Sequence, residues 1–147
     1  MTPEHTPNAG RQTGVRISSN PAEIDREWLV TALSERAYWA LGRPRDRIEA
    51  SIQGSLCFSA FEGVRQVGFA RVVTDQATFG WVCDVFVDES ARGTGVGTAL
   101  MEAIVGDPRF TTCRLVLATR DAGALYAAHR FVPLRNPERW MERLPGP

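Results

Sequence analysis

Apolar and polar residues along this chain change their spacing several times, and each change marks an element. Val15-Arg16-Ile17-Ser18 alternates with period two and predicts a short strand. Asn20-Pro21-Ala22-Glu23 follows as a helix start, with a capping side chain, a first-turn proline and an acid three positions after the cap. Ile24, Trp28, Leu29, Ala32 and Leu33 then recur at helical spacing and give that helix one apolar face. A second helix is expected after Pro44, with Ile48 and Ile52 turned inward. Leu56 to Phe61, Val67 to Val73 and Phe79 to Val87 read as three successive strands. The turns between them, Glu62-Gly63 and Thr74-Asp75-Gln76, suit an antiparallel meander. Thr98 to Val105 predicts a helix, Arg114 to Ala118 a buried strand and Ala122 to His129 another helix. Val132 to Leu144 is expected to supply final strand material. Met1 to about Gly14, with Pro3, Pro7, Asn8 and Gly10 and almost no apolar side chains, reads as a disordered tail, and Pro145-Gly146-Pro147 closes the chain similarly.

Composition narrows the possible functions. At 147 residues and 44% apolar content the chain suits one domain, about residues 15–144, with a core that needs no disulfides. The formal net charge is zero, so bulk charge suggests neither a polyanion nor a membrane surface as partner. All 17 basic residues are arginine, spread from Arg11 to Arg143 without a basic block, which argues against nucleic-acid binding. Cys57, Cys83 and Cys113 sit in separate apolar runs with no C-x-x-C spacing, as core residues of a reducing compartment would. No apolar run approaches the roughly 18 residues of a membrane span and no leader-like segment opens the chain, so a cytoplasmic location is expected. His5 lies in the tail and His129 reads as a helix-end surface residue; neither has the neighbours of a metal site or a nucleophile triad, and no metal is expected.

The chemistry concentrates in Val82-Cys83-Asp84-Val85-Phe86-Val87-Asp88-Glu89-Ser90-Ala91-Arg92-Gly93-Thr94-Gly95-Val96-Gly97. There an apolar strand runs through a short polar loop into alternating glycines and then a helix. Glycines let backbone N–H groups approach a ligand closely, and the helix points its positive dipole end the same way, which makes an anion cradle suited to a diphosphate. Two familiar phosphate loops fit poorly. A triphosphate P-loop needs Gly-Lys-Ser/Thr, but Gly97 is followed directly by Thr98. The dinucleotide fingerprint G-x-G-x-x-G wants its third glycine at position 98, and here it arrives at Gly97.

The segment resembles the pyrophosphate motif of the GNAT superfamily of acetyl-CoA-dependent N-acetyltransferases, Q/R-x-x-G-x-G/A, with Arg92, Gly95 and Gly97 in the fixed places. The flanks agree: Val85-Phe86-Val87 ends the preceding strand and Leu100 stands in the first apolar turn of the helix. The element order from about Val15 to Leu144 is similar to the same fold. The resemblance thus implies an α/β (α+β) architecture with a mixed, mostly antiparallel central sheet flanked by helices. It also implies acetyl-CoA as co-substrate, held by the backbone of Val85, Phe86 and Val87, by Arg92, Gly93, Thr94, Gly95, Val96, Gly97 and Thr98, and by Thr119.

A second family motif, N-x-x-A-x-x-L-Y-x-x-x-G-F, is matched by Ala122, Leu125, Tyr126 and Phe131, while Thr119 replaces the asparagine and Arg130 the glycine. By this resemblance Tyr126 is the expected general acid, protonating the departing thiolate. Asp84 carries a charge into an apolar strand, where it is costly unless paired or useful. Alternation places it on the face of Val82 and Phe86, and two roles are open: a catalytic one, receiving the substrate ammonium and helping to remove its proton, or pairing with Arg71 of the neighbouring strand. Trp39, Arg71 and Trp81, together with Tyr38 and Trp140, are candidates to border the acceptor, since acceptors in the family lie between the first two helices and the central strands. The expected activity is direct acetyl transfer to the primary amine of a small molecule, or of an amino acid or peptide. The alternative is a non-catalytic acyl-CoA-binding or regulatory module on the same fold. A homodimer is compatible with the sequence, which carries no sign of oligomeric state.

Overall fold

The computed structural model of the chain describes residues 14–146, so the tail expected at the N-terminus falls outside the described residues except for Gly14. Five strands follow one another in a single sheet: β1 (Val15–Ser18), β2 (Leu56–Glu62), β3 (Arg65–Thr74), β4 (Phe79–Val87) and β5 (Arg114–Val116). Neighbours are antiparallel except β4 and β5, which run parallel. The antiparallel meander therefore forms where its turn residues predict it: Gly63 takes φ 60°, and the Asp75 carboxylate accepts from the backbone N–H of Ala77, Thr78 and Phe79 to close the second turn.

Both faces of the sheet are covered. On one face α3 (Val96–Val105) packs Val96, Leu100, Met101 and Ile104 against Phe58, Ala60, Ala70, Val72 and Val82, with Phe110 and Tyr126 closing the cluster. Gly68 makes this approach possible: a Cβ there would come within 2.8 Å of Val96 Cγ1 and 3.2 Å of Leu100 Cδ1. On the other face Leu29, Ala32, Leu33, Ile48 and Ile52 pack on Cys57, Phe69 and Phe86. They come from α1 (Arg26–Thr31), a wide π-type turn over Ala32–Arg36, and α2 (Arg45–Gln53).

Two expectations are corrected. The first helix does not run unbroken from Asn20. Asn20 caps only a 3₁₀ turn, Pro21–Glu23, Ile24 is extended, and Asp25 provides a second cap by accepting from Trp28 N at 3.1 Å before α1 begins. Each cap satisfies amides that the helix itself leaves free, so two caps five residues apart make two starts. The strand material expected over Val132 to Leu144 is also absent among the described residues. Pro133 and Pro137 lack the N–H a ladder needs, Asn136 takes a left-handed φ of 54°, and only a 3₁₀ turn, Pro137–Arg139, forms. That segment is held instead by Trp140, stacked 6.4 Å from the Phe79 ring with the Arg114 guanidinium 4.8 Å from its own ring centre.

Candidate active site

The site begins with an irregularity in β4. Phe69 pairs with Phe86, but Arg71 pairs with Cys83, so Asp84 and Val85 together oppose the single residue Ala70. This β-bulge puts Asp84 at φ 51°, in the left-handed region that aspartate tolerates better than most residues. It also interrupts alternation. Val82 belongs to the core beneath α3, while Phe86 belongs to the core beneath α1 and α2. The expectation that Val82, Asp84 and Phe86 share a face is therefore corrected, because one extra residue moves everything after it to the opposite face.

The bulge turns Asp84 toward the α1–α2 connection. Its Oδ2 accepts from Arg71 Nε at 2.6 Å and from Arg43 Nη1 at 2.8 Å, and its Oδ1 accepts from Trp39 Nε1 at 2.8 Å. Arg71 also donates Nη1 to Ser55 Oγ at 3.1 Å. The Asp84 side chain is only 2% exposed, against 11% for Arg71 and 19% for Arg43. Burial alone would raise the Asp84 carboxyl, but hydrogen bonds and charge from Arg71 and Arg43 outweigh it and hold the group below its ordinary value.

β4 and β5 pair only through Phe79, Gly80 and Trp81 with Arg114, Leu115 and Val116. β4 then continues to Val87 alone, and along that stretch its edge toward β5 has no strand partner among the described residues. A cavity of about 320 Å³ opens there, lined by Tyr38, Trp39, Arg43, Arg71, Trp81, Cys83, Asp84, Val85, Thr119, Asp121 and Tyr126. The structure thus brings Tyr126, Asp84, Val85, Thr119, Trp39, Arg71 and Trp81 to one opening. Trp140, stacked on Phe79, is not among its lining residues.

Tyr126 lies on α4 (Gly123–Ala127), 8% exposed, with its ring edge-on to Phe131 at 6.1 Å. Burial, with smaller contributions from Tyr38 and Asp121, pushes its phenol above the ordinary value, so it stays protonated at neutral pH. Thr119 Oγ1 accepts from Ala122 N at 3.0 Å and so closes the turn that leads into α4. Arg130 takes φ 69°, and Phe131 N reaches back to Tyr126 O at 3.1 Å, giving the left-handed helix end that glycine usually makes. His129, expected at the surface, is half-buried, and its Nε2 is buried without a hydrogen-bond partner among the described residues. It borders a second, mostly apolar cavity of about 610 Å³ between β5 and the segment after α4.

The glycine loop has the features of an anion cradle. Asp88 caps a 3₁₀ turn, Glu89–Ala91, and Gly93 and Gly95 adopt φ of 78° and 91°. Gly95 is the N-cap of α3, so no side chain satisfies the first-turn amides, and no acid stands in that turn. Arg92 is anchored at the entrance by Nε donating to Val87 O at 3.2 Å and by its guanidinium 5.8 Å from the Phe86 ring. Gly97 has a packing role as well: a Cβ there would lie 3.4 Å from Leu125 of α4.

A family model described as an acetyltransferase (GNAT) domain matches residues 53–133, which span β2 to the end of α4 and include both the bulge and the glycine loop. The chain belongs to the GNAT family of acetyltransferases. A crystal structure from Xanthomonas campestris pv. campestris, assigned to the same family, is 40% identical and superposes with a TM-score of 0.86 over 88% of this chain and 92% of that one. A Gibberella zeae protein provisionally named an acetyltransferase is 28% identical over 133 residues, 75% of this chain and 74% of its own length. N-acetylglutamate synthase from Neisseria gonorrhoeae, solved with coenzyme A and N-acetyl-glutamate, shares the GNAT fold at 20% identity and a TM-score of 0.63, over 78% of this chain and 27% of that one.

One residue lining the cavity beside Asp84 carries no signal in the sequence. Arg43 follows Gly42, which takes φ 78°, and precedes Pro44, so the two flanking residues bend the chain back toward the sheet. Its pairing with Asp84, 41 residues away, leaves no local signal. A lone buried aspartate in a strand implied one cation, and nothing in the pattern called for two. Among the described residues no group of three or more His, Cys, Asp or Glu side chains could hold a metal ion, and no helix is long and apolar enough to cross a membrane.

Proposed function

We propose that this chain transfers the acetyl group of acetyl-CoA to the primary amine of a small molecule. Acetyl-CoA supplies the thioester whose carbonyl the free amine attacks directly. The observation that carries this reading is the shared cavity: a buried, protonated Tyr126 faces the same opening as the unpaired edge of β4 around Val85. The backbone of Val85, Phe86 and Val87 would hold the pantetheine arm, with Thr119 on the opposite wall. The free amides from Val96 to Thr98, with Arg92, Gly93, Thr94 and Gly95 before them, would hold the diphosphate.

Tyr126 would give its proton to the departing sulfur and regain one through solvent as the attacking nitrogen loses its own, and the strand amides would stabilise the charge that develops on the carbonyl oxygen. Asp84 would act by orienting Arg43, Arg71 and Trp39 around the acceptor. Direct attack is favoured over a covalent enzyme intermediate because the one thiol lining the cavity, Cys83, is pushed up to about 12 by burial and stays neutral.

Release of free thiol from acetyl-CoA across a panel of primary amines tests the proposal. Amine-dependent release with formation of the N-acetyl product is the expected result. Acetyl-CoA binding without release from any amine would replace the enzyme with a non-catalytic acyl-CoA-binding module.

A further inference from the structure

The base of the acceptor cavity carries more positive charge than its own residues neutralise. Two guanidinium groups, Arg43 and Arg71, share one carboxylate, and both bind the same oxygen, Asp84 Oδ2. The other oxygen is taken by the Trp39 indole. All three charged side chains are largely withdrawn from water, so the cluster holds one buried positive charge in excess. At the rim, Asp121 lies 3.6 Å from Arg120, whose guanidinium rests on the Tyr38 ring, so that acid is already balanced. Arg43 has Nε and Nη2 free of any hydrogen bond among the described residues, and Arg71 has Nη2 free.

A cationic pocket floor with unused guanidinium donors is a poor receptor for a bare ammonium ion, which Asp84 has no spare charge to attract. It is a good receptor for a carboxylate, which would complete the charge balance and accept from the free fork of Arg43. The aromatic walls, Tyr38, Trp39 and Trp81, are each about two-fifths exposed and suit an organic body between the two ends. We infer that the acceptor is an amine that also carries a carboxylate, an amino acid or a close analogue, with Arg43 the residue that selects it. The inference rests on the acetyltransferase reading for the amine end and on the Arg43–Asp84–Arg71 cluster for the acid end.

The test compares the common L-amino acids with the corresponding decarboxylated amines, for example phenylalanine with phenethylamine. Two readouts are followed on the wild-type protein and on Arg43→Met: thiol release, and quenching of tryptophan fluorescence from Trp39 and Trp81 on ligand addition. The expected result is that the best carboxylate-bearing acceptor has a KM about ten- to a hundredfold lower than its decarboxylated partner, as loss of a charge-assisted pair predicts, and that Arg43→Met collapses the difference. Turnover of simple amines with no preference for the carboxylate overturns the inference and leaves the proposed activity standing. Carboxylate-dependent quenching without thiol release from any acceptor upholds the acid-binding floor and overturns the activity. Absence of quenching by every amino acid at millimolar concentration overturns the inference whatever the thiol assay shows.

Discussion

Asp84 shows how much a single residue depends on its surroundings. Its carboxylate has three internal partners and almost no exposure, so removing the charge leaves Arg43 and Arg71 facing each other in a withdrawn site. Breaking such a buried pair by changing one partner typically costs about 3–5 kcal/mol. Asp84→Asn is therefore expected to lower the melting temperature by roughly 9–15 °C, measured by thermal unfolding. A melting temperature close to wild type, with a raised acceptor KM, would show instead that Asp84 contacts the acceptor more than it serves the fold. Tyr126 gives a sharper contrast between packing and chemistry. Tyr126→Phe keeps the ring against Phe131 and removes only the hydroxyl, which makes no hydrogen bond among the described residues. Acetyl-CoA affinity and stability should hold while turnover falls roughly 10²–10⁴-fold, the loss expected for a general acid. Turnover within a fewfold of wild type would leave Tyr126 a packing residue.

At the scale of elements, two helix ends carry the proposed function and both depend on left-handed backbone. Gly95 at φ 91° begins α3, and Val there would both strain the turn and crowd the free amides. Gly95→Val should weaken acetyl-CoA binding by a large factor in titration calorimetry and cost about 1–2 kcal/mol in unfolding. Unchanged affinity in the folded variant would remove the diphosphate assignment from this loop. The end of α4 offers the opposite experiment. Arg130 stands at φ 69° where the family motif has glycine, so the helix ends in the usual geometry with an unfavourable residue. Arg130→Gly should stabilise the protein by about 1 kcal/mol, or roughly 3 °C in melting temperature, without altering the contact of Phe131 N with Tyr126 O. No gain would mean that the Arg130 side chain contributes about as much as its backbone costs.

The whole molecule collects these local energies into a dependence on pH. The Asp84 carboxyl is held low by Arg71 and Arg43 against its burial, Asp88 mainly by the Ser90 N–H and Asp107 mainly by Arg109. A carboxyl lowered on folding stabilises the fold above its unfolded value and loses that contribution as pH falls through the folded value. The melting temperature should therefore be level near neutrality and decline below about pH 4, the ordinary aspartate range. Cys57 and Cys83 act in the other direction: burial raises them to about 11 and about 12, so their contribution is complete below the ordinary thiol value of 9.0 and is lost above it. A scan of melting temperature against pH should show both declines, and Cys83→Ala should soften the alkaline one. A profile with no acid decline would contradict the pairings described for Asp84, Asp88 and Asp107. Much of the fold was legible in the linear pattern, because strand and helix periods, turn residues and the glycine loop are local signals that act within a few residues. Leu56 to Val87 forms its meander, Ile48 and Ile52 turn inward, and Arg92-x-x-Gly95-x-Gly97 carries the family resemblance in the sequence itself. The tertiary structure alone decided the rest. A single inserted residue at Asp84 changed which side chains share a face, a pairing between β3 and β4 that alternation within β4 cannot report. Arg43 reached Asp84 across 41 residues because α2 packs on the same face of the sheet. The residues after Phe131 left the sheet because two prolines lack N–H groups and Trp140 stacks on Phe79 instead, a balance between missing hydrogen bonds and ring contact that is settled only once both elements are in place.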